Sequence, residues 1–128
     1  MMGYKVVTYE QKSILALGEA CVQYSTTKYI GAPKWLAKMG YHLTFFKTVK
    51  DCQNCIFFTI YQIYKVDAQG VIKNLPHRVA EGDVNPFRMS KLPPTPDSCL
   101  GYQWPEGTMM AKKIKLLSLV KEERREVI

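Results

Sequence analysis

The stretch from Gly40 to Val66 constrains this chain more than any other. It reads Gly-Tyr-His-Leu-Thr-Phe-Phe, then Lys-Thr-Val-Lys-Asp-Cys-Gln-Asn-Cys, then Ile-Phe-Phe-Thr-Ile-Tyr-Gln-Ile-Tyr-Lys-Val. Two segments rich in aromatic and β-branched residues flank a short polar one, so the pattern predicts strand, helical turn, strand. Thr48 and Asp51 have the spacing of a capping box at the start of that turn. The second apolar run contains neither Gly nor Pro, as a central strand covered on both faces requires.

The flanking segments fit around this centre. Tyr4–Thr8 reads as a first strand. Residues 9–24 carry two patterns. Thr8 and Gln11 would cap a helix bearing Ile14, Leu15, Leu17, Cys21 and Val22, whereas Gly18-Glu19 between two apolar runs would turn a hairpin. Pro33 and Gly40 bracket a short helix, with Lys34 and Lys38 on one side and Trp35, Leu36 and Met39 turned inward. Asp67-Ala-Gln-Gly70 has turn chemistry, which predicts that Val71–Leu75 returns antiparallel to Thr59–Val66. Residues 76–107 hold six of the seven prolines and read as a long ordered loop. Ile114–Val120 reads as a last strand, and Lys121–Ile128 as a charged tail. The fold class expected is α+β, a mostly antiparallel sheet with one or two short helices and a long Pro-rich loop, in a single domain of 128 residues.

Charge bears on function. Lys and Arg number 18 against 11 acids, and the first fifty residues hold seven lysines and two glutamates. Such a balance favours anionic partners, and its alternative is ordinary solvating lysine. Lys28, Tyr29, Lys34, Trp35, Lys38, Tyr41 and Lys47 alternate cations with flat rings, the combination that stacks bases and meets phosphates. Arg78 and Arg88 would add bidentate contacts if the long loop folds over the same face. The ligand-binding residues expected are therefore Lys28, Lys34, Trp35, Lys38, His42, Arg78 and Arg88. The partner is a nucleotide, a nucleic acid or a host protein.

Catalysis and metal binding find little support. Cys52 and Cys55 have half a zinc site's spacing, but Cys21, Cys99, His42 and His77 supply no matching second pair. No Gly-rich phosphate loop, HExxH or GxSxG occurs. No catalytic residue, metal or cofactor is expected. No apolar run spans a bilayer and no signal peptide precedes the first strand, so a cytoplasmic location is expected.

Several phrases recur in a familiar order: Tyr4-Lys-Val-Val, Tyr24 to Ile30-Gly-Ala-Pro, Gly40-Tyr-His-Leu-Thr-Phe-Phe-Lys-Thr-Val-Lys-Asp-Cys, Ile60–Val66, and Pro105-Glu-Gly-Thr-Met-Met-Ala-Lys-Lys-Ile-Lys-Leu-Leu. Together they resemble a loose group of small phage and prophage proteins. The resemblance implies two strands, Ser13–Leu17 and Cys21–Tyr24, in the segment the pattern leaves open, and brings no activity with it. A fainter likeness is to the ADP-ribosyltransferase-like fold. It would place Tyr4 and His42 in a nicotinamide pocket, although Glu106 sits in a Pro-Gly turn rather than on a late strand. The expected function is a small non-catalytic basic binding protein. The alternatives are an ADP-ribosyltransferase-like enzyme or degenerate relative, and a protein-binding or structural accessory pairing through an open sheet edge, as a homodimer.

Overall fold

The computed structural model describes residues 1–13, 21–38, 40–54, 60–75 and 107–124. Their elements run β1 (Met2–Val7), β2 (Ile30–Gly31), α1 (Lys34–Lys38), β3 (Leu43–Phe46), α2 (Val49–Asn54), β4 (Ile60–Ile72) and β5 (Thr108–Arg124). All strand pairings are antiparallel, in the order β2-β5-β3-β1-β4, and β4 also pairs with β5. That last pairing closes β1, β3, β5 and β4 into a ring, with β2 joined to β5 beyond the end of β3. The expected class, a mostly antiparallel sheet with one or two short helices, is what the chain adopts, with two helices among the described residues.

β4 is the central strand. Its residues from Met2's partner Asp67 to Val7's partner Gln62 pair with β1, while Ile60 to Ile72 pair with β5. From Tyr61 to Tyr64 both of its faces are buried, which is why that part of its sequence is a nearly unbroken apolar run; beyond it, exposed Lys65 and Gln69 alternate with buried Val66 and Ala68. Tyr64, Val66 and Ala68 join Val7, Leu43, Phe45, Ala111, Ile114 and Leu116 in the larger core. Tyr61 and Ile63 face the other way and pack with Val6, Phe46 and Cys52 under α2.

The Asp67–Gly70 hairpin is overturned. These residues lie inside β4, and the antiparallel partners of the central strand are β1 and the distant β5. Gly70 does adopt positive φ (67°), but it bends the strand instead of reversing it. Before the bend Ala68 and Ile114 point into the core; after it Val71 and Ala111 do. The paired strands thus exchange faces across Gly70 and its partner position, Lys112.

Closure on the other side depends on Gly3. β1 meets β3 at Tyr4↔Phe46. A Cβ at Gly3 would lie 2.5 Å from Phe45 Cδ2 and 2.7 Å from the Phe46 carbonyl oxygen, so only glycine permits this approach.

The helix ends match their sequence signals. Gly40 (φ 87°) donates its N–H to the Ala37 carbonyl, and Tyr41 donates to Leu36, the two bonds of a Schellman cap. Thr48 Oγ1 accepts the Asp51 N–H at 3.1 Å and starts α2. In the open segment, Lys12 bridges Gln23 and Ser13 exchanges hydrogen bonds with Val22, an antiparallel approach of the hairpin kind. Residues 14–20 lie outside the described residues, as do 76–106 with their expected loop. β5 is longer at both ends than Ile114–Val120. It runs to Arg124, so the start of the expected charged tail is strand.

Candidate functional site

The sheet assembles lysines that are remote in sequence. Lys113 lies opposite Gly31 of β2 on one side and Gln69 of β4 on the other. Because Ala111 and Ile114 both point inward at the bend, the two residues between them, Lys112 and Lys113, both face solvent. A regular strand would have turned one of them in. The same β2 segment carries Lys28 just before it and leads into α1, where Lys34 and Lys38 are exposed. Among the described residues the ion pairs are those of the Met1 amine with Asp67 and of Lys12 with Glu10. None of Lys28, Lys34, Lys38, Lys112 and Lys113 is neutralised by an acid there.

Lys115, two residues along, is held differently. Its Nζ sits 5.7 Å from the centre of the Tyr29 ring. The Tyr29 hydroxyl donates to Asp67 Oδ2 at 2.6 Å, and the Met1 amine lies 3.3 Å from Asp67 Oδ1. The Tyr29 bond holds the Asp67 carboxyl below its ordinary value, with the amine and Lys115 acting in the same sense, and raises the Tyr29 hydroxyl above its own. Tyr29 is 37% exposed, yet its hydroxyl and one approach to its ring are engaged by the protein itself.

The rings sort accordingly. Tyr41 is core, 3% exposed, so it offers no stacking surface. Trp35 is half-buried on α1 between Lys34 and Lys38. His42 precedes β3, half-buried, and its N–H donates to Met110 Sδ at 3.3 Å. Partial burial and the Lys112 cation lower its pKa, so at neutral pH it is an uncharged hydrogen-bonding group. Arg78 and Arg88 lie outside the described residues.

Tyr4 and His42 are the pair that the ADP-ribosyltransferase likeness would bring together. Tyr4 faces Phe46, four residues along from His42, or about 13 Å of strand. Cys52 is fully buried under the sheet, a small apolar group of the second core. Cys55 lies outside the described residues. Among the described residues, no group of three or more His, Cys, Asp or Glu side chains could hold a metal ion. No helix among the described residues is long and apolar enough to cross a membrane.

The residues that the sequence reading missed are Lys112, Lys113 and Lys115. Their signal was visible as Lys-Lys-Ile-Lys inside the last apolar strand, where each lysine interrupts the run. Only the register shows that they stand along β2, in the segment between Lys28 and α1. Compared with protein-family models, curated proteins and solved structures, the chain shows no significant match to any of them.

Proposed function

We propose that this is a small non-catalytic protein that binds a polyanion, a nucleic-acid strand, through phosphate contacts of Lys112, Lys113, Lys28, Lys34 and Lys38. Trp35 supplies the ring for stacking and His42 a neutral hydrogen bond. The observation that carries the reading is the pair of outward lysines at the bend of β5, beside the lysine-bearing β2–α1 segment and with no acid pairing them among the described residues. Lys112 and Lys115 are about 10 Å apart along an extended strand. Lysines spread over two strands' worth of surface, with Lys115 at the far end of the row and engaged by Tyr29, suit successive phosphates of a polymer better than the single cluster of a mononucleotide. The resemblance of its short motifs to those of phage and prophage proteins is what supports an origin of that kind.

Anisotropy of labelled single-stranded RNA, single-stranded DNA and duplex DNA, titrated at two salt concentrations, tests the proposal. Binding should weaken steeply with salt. Lys112→Glu/Lys113→Glu should abolish it at moderate salt while the fold survives. Removing a single phosphate-binding lysine should flatten the logarithmic salt dependence by about 0.7–0.9. Absence of binding to all three probes at low salt, or full affinity in the double variant, overturns the proposal and leaves these lysines to solubility alone.

A further inference from the structure

One end of the ring carries polar chemistry that the lysine surface does not use. Gln62 is only 8% exposed. Its Nε2 donates to Glu122 Oε2 at 3.2 Å, across the β4–β5 pairing that sets the two residues opposite each other. Its Oε1 is buried and accepts no hydrogen bond. The amide cannot be reversed to cure this, because Oε1 would then face a carboxylate oxygen. A buried acceptor without a donor is costly, and native proteins rarely keep one without a use.

A second polar pair lies next along the strand. Tyr64 lies two residues along β4, on the same face as Gln62. Its hydroxyl accepts Gln11 Nε2 at 3.0 Å. Gln11 reaches it from a left-handed backbone conformation (φ 63°), which a non-glycine residue adopts only when its surroundings hold it there. The Gln11 N–H is bound by the Thr8 carbonyl, and its own carbonyl accepts from Tyr24. Opposite Tyr64, β5 presents Leu119, 46% exposed, as apolar surface beside the polar groups.

We propose that this end of the ring binds a cationic N–H donor, a guanidinium or alkylammonium group, between Gln62 Oε1 and the Glu122 carboxylate, with its aliphatic stem along Leu119. The chemistry selects the class. The orphan amide oxygen and the carboxylate beside it are acceptors, so the occupant must bring donors, and the carboxylate favours a positive charge on them. Mouths of β-barrels are common places for such sites. The site is separate from the proposed phosphate surface and opposite to it in the charge it selects.

The test is titration of the isotopically labelled full chain with n-butylguanidinium, n-butylammonium and neutral n-butylurea, following the Gln62 side-chain amide by NMR. One or both cations should shift that amide saturably, and the tighter of the two identifies the group. The urea should bind more weakly. Glu122→Gln should weaken the cation by about tenfold or more, the equivalent of ~1.4 kcal/mol. Gln62→Met should remove the binding. If Gln62→Met does not fold, the exposed Glu122→Gln decides alone. No saturable shift with either cation, or equal affinity in Glu122→Gln, overturns the proposal.

Discussion

Asp67 is held from three sides, by the Tyr29 hydroxyl, the Met1 amine and the Lys115 cation. Its lowered pKa makes folding favourable above the carboxylate's unfolded value of about 3.9, and that contribution is lost as pH falls through the lower folded value. Tyr29 titrates in the opposite sense: its raised pKa gives stability that is complete below about pH 10 and lost as pH rises further. Tyr29→Phe should therefore flatten both limbs of a melting-temperature-against-pH profile, and a profile identical to wild type would show that the bond carries no linkage. Gly3 acts through space instead of charge. Gly3→Ala would force a methyl group against the Phe45 ring and the Phe46 carbonyl at the seam of the ring. It should cost about 1–3 kcal/mol in denaturant unfolding, the usual range for an overpacked interior.

At the scale of elements, the helices are set by local chemistry and the long strands are not. α1 ends on the Schellman bonds of Gly40 and Tyr41, and α2 begins on Thr48. Both are legible in a window of seven residues. Thr48→Ala should destabilise the protein by about 1 kcal/mol, read as a lower urea midpoint with an unchanged slope. β4 and β5 behave differently. Asp67-Ala-Gln-Gly70 is turn chemistry by composition, but β5 pairs with β4 on both sides of it and keeps the strand extended. Lys121-Glu-Glu-Arg has helix-forming residues, and it is strand because Ile63, Gln62, Tyr61 and Ile60 stand opposite. The register shifts between Ile63 and Tyr64 and between Lys65 and Val66 leave Leu117 and Val120 of β5 without register partners, and both are exposed. Gly70→Ala tests the bend. Positive φ and the Lys112 side chain 3.1 Å from the new Cβ should cost about 1 kcal/mol or more and move the Lys112 and Lys113 backbone resonances.

At the scale of the whole molecule, closing four strands into a ring pairs both sides of β4 and gives the chain two cores, one inside and one beneath α2. The pairing of β2 with β5, a strand of that ring, sets Lys113 opposite Gly31, in the segment that carries Lys28 and leads into α1. It follows that a variant which opens the seam, such as Gly3→Ala, should lower polyanion affinity along with stability. Lys112→Glu/Lys113→Glu should lower affinity alone. Measuring both quantities on both variants separates the electrostatic contribution from the architectural one.

The sequence by itself determined the strand character of Tyr4–Val7, Leu43–Phe46 and Ile60–Val66, the helix between Pro33 and Gly40, the Thr48 cap and the antiparallel class. Each rests on contacts within a few residues or on a period of two or 3.6 along the chain. Lys28, Lys34, Trp35 and Lys38 were legible as a basic segment for the same reason. The partner of β4, the path through Gly70, the outward pair Lys112–Lys113 and the meeting of Gln62 with Glu122 were decided by the tertiary structure. They join positions about forty to eighty residues apart, where no local propensity acts and only the burial of complementary faces fixes the register.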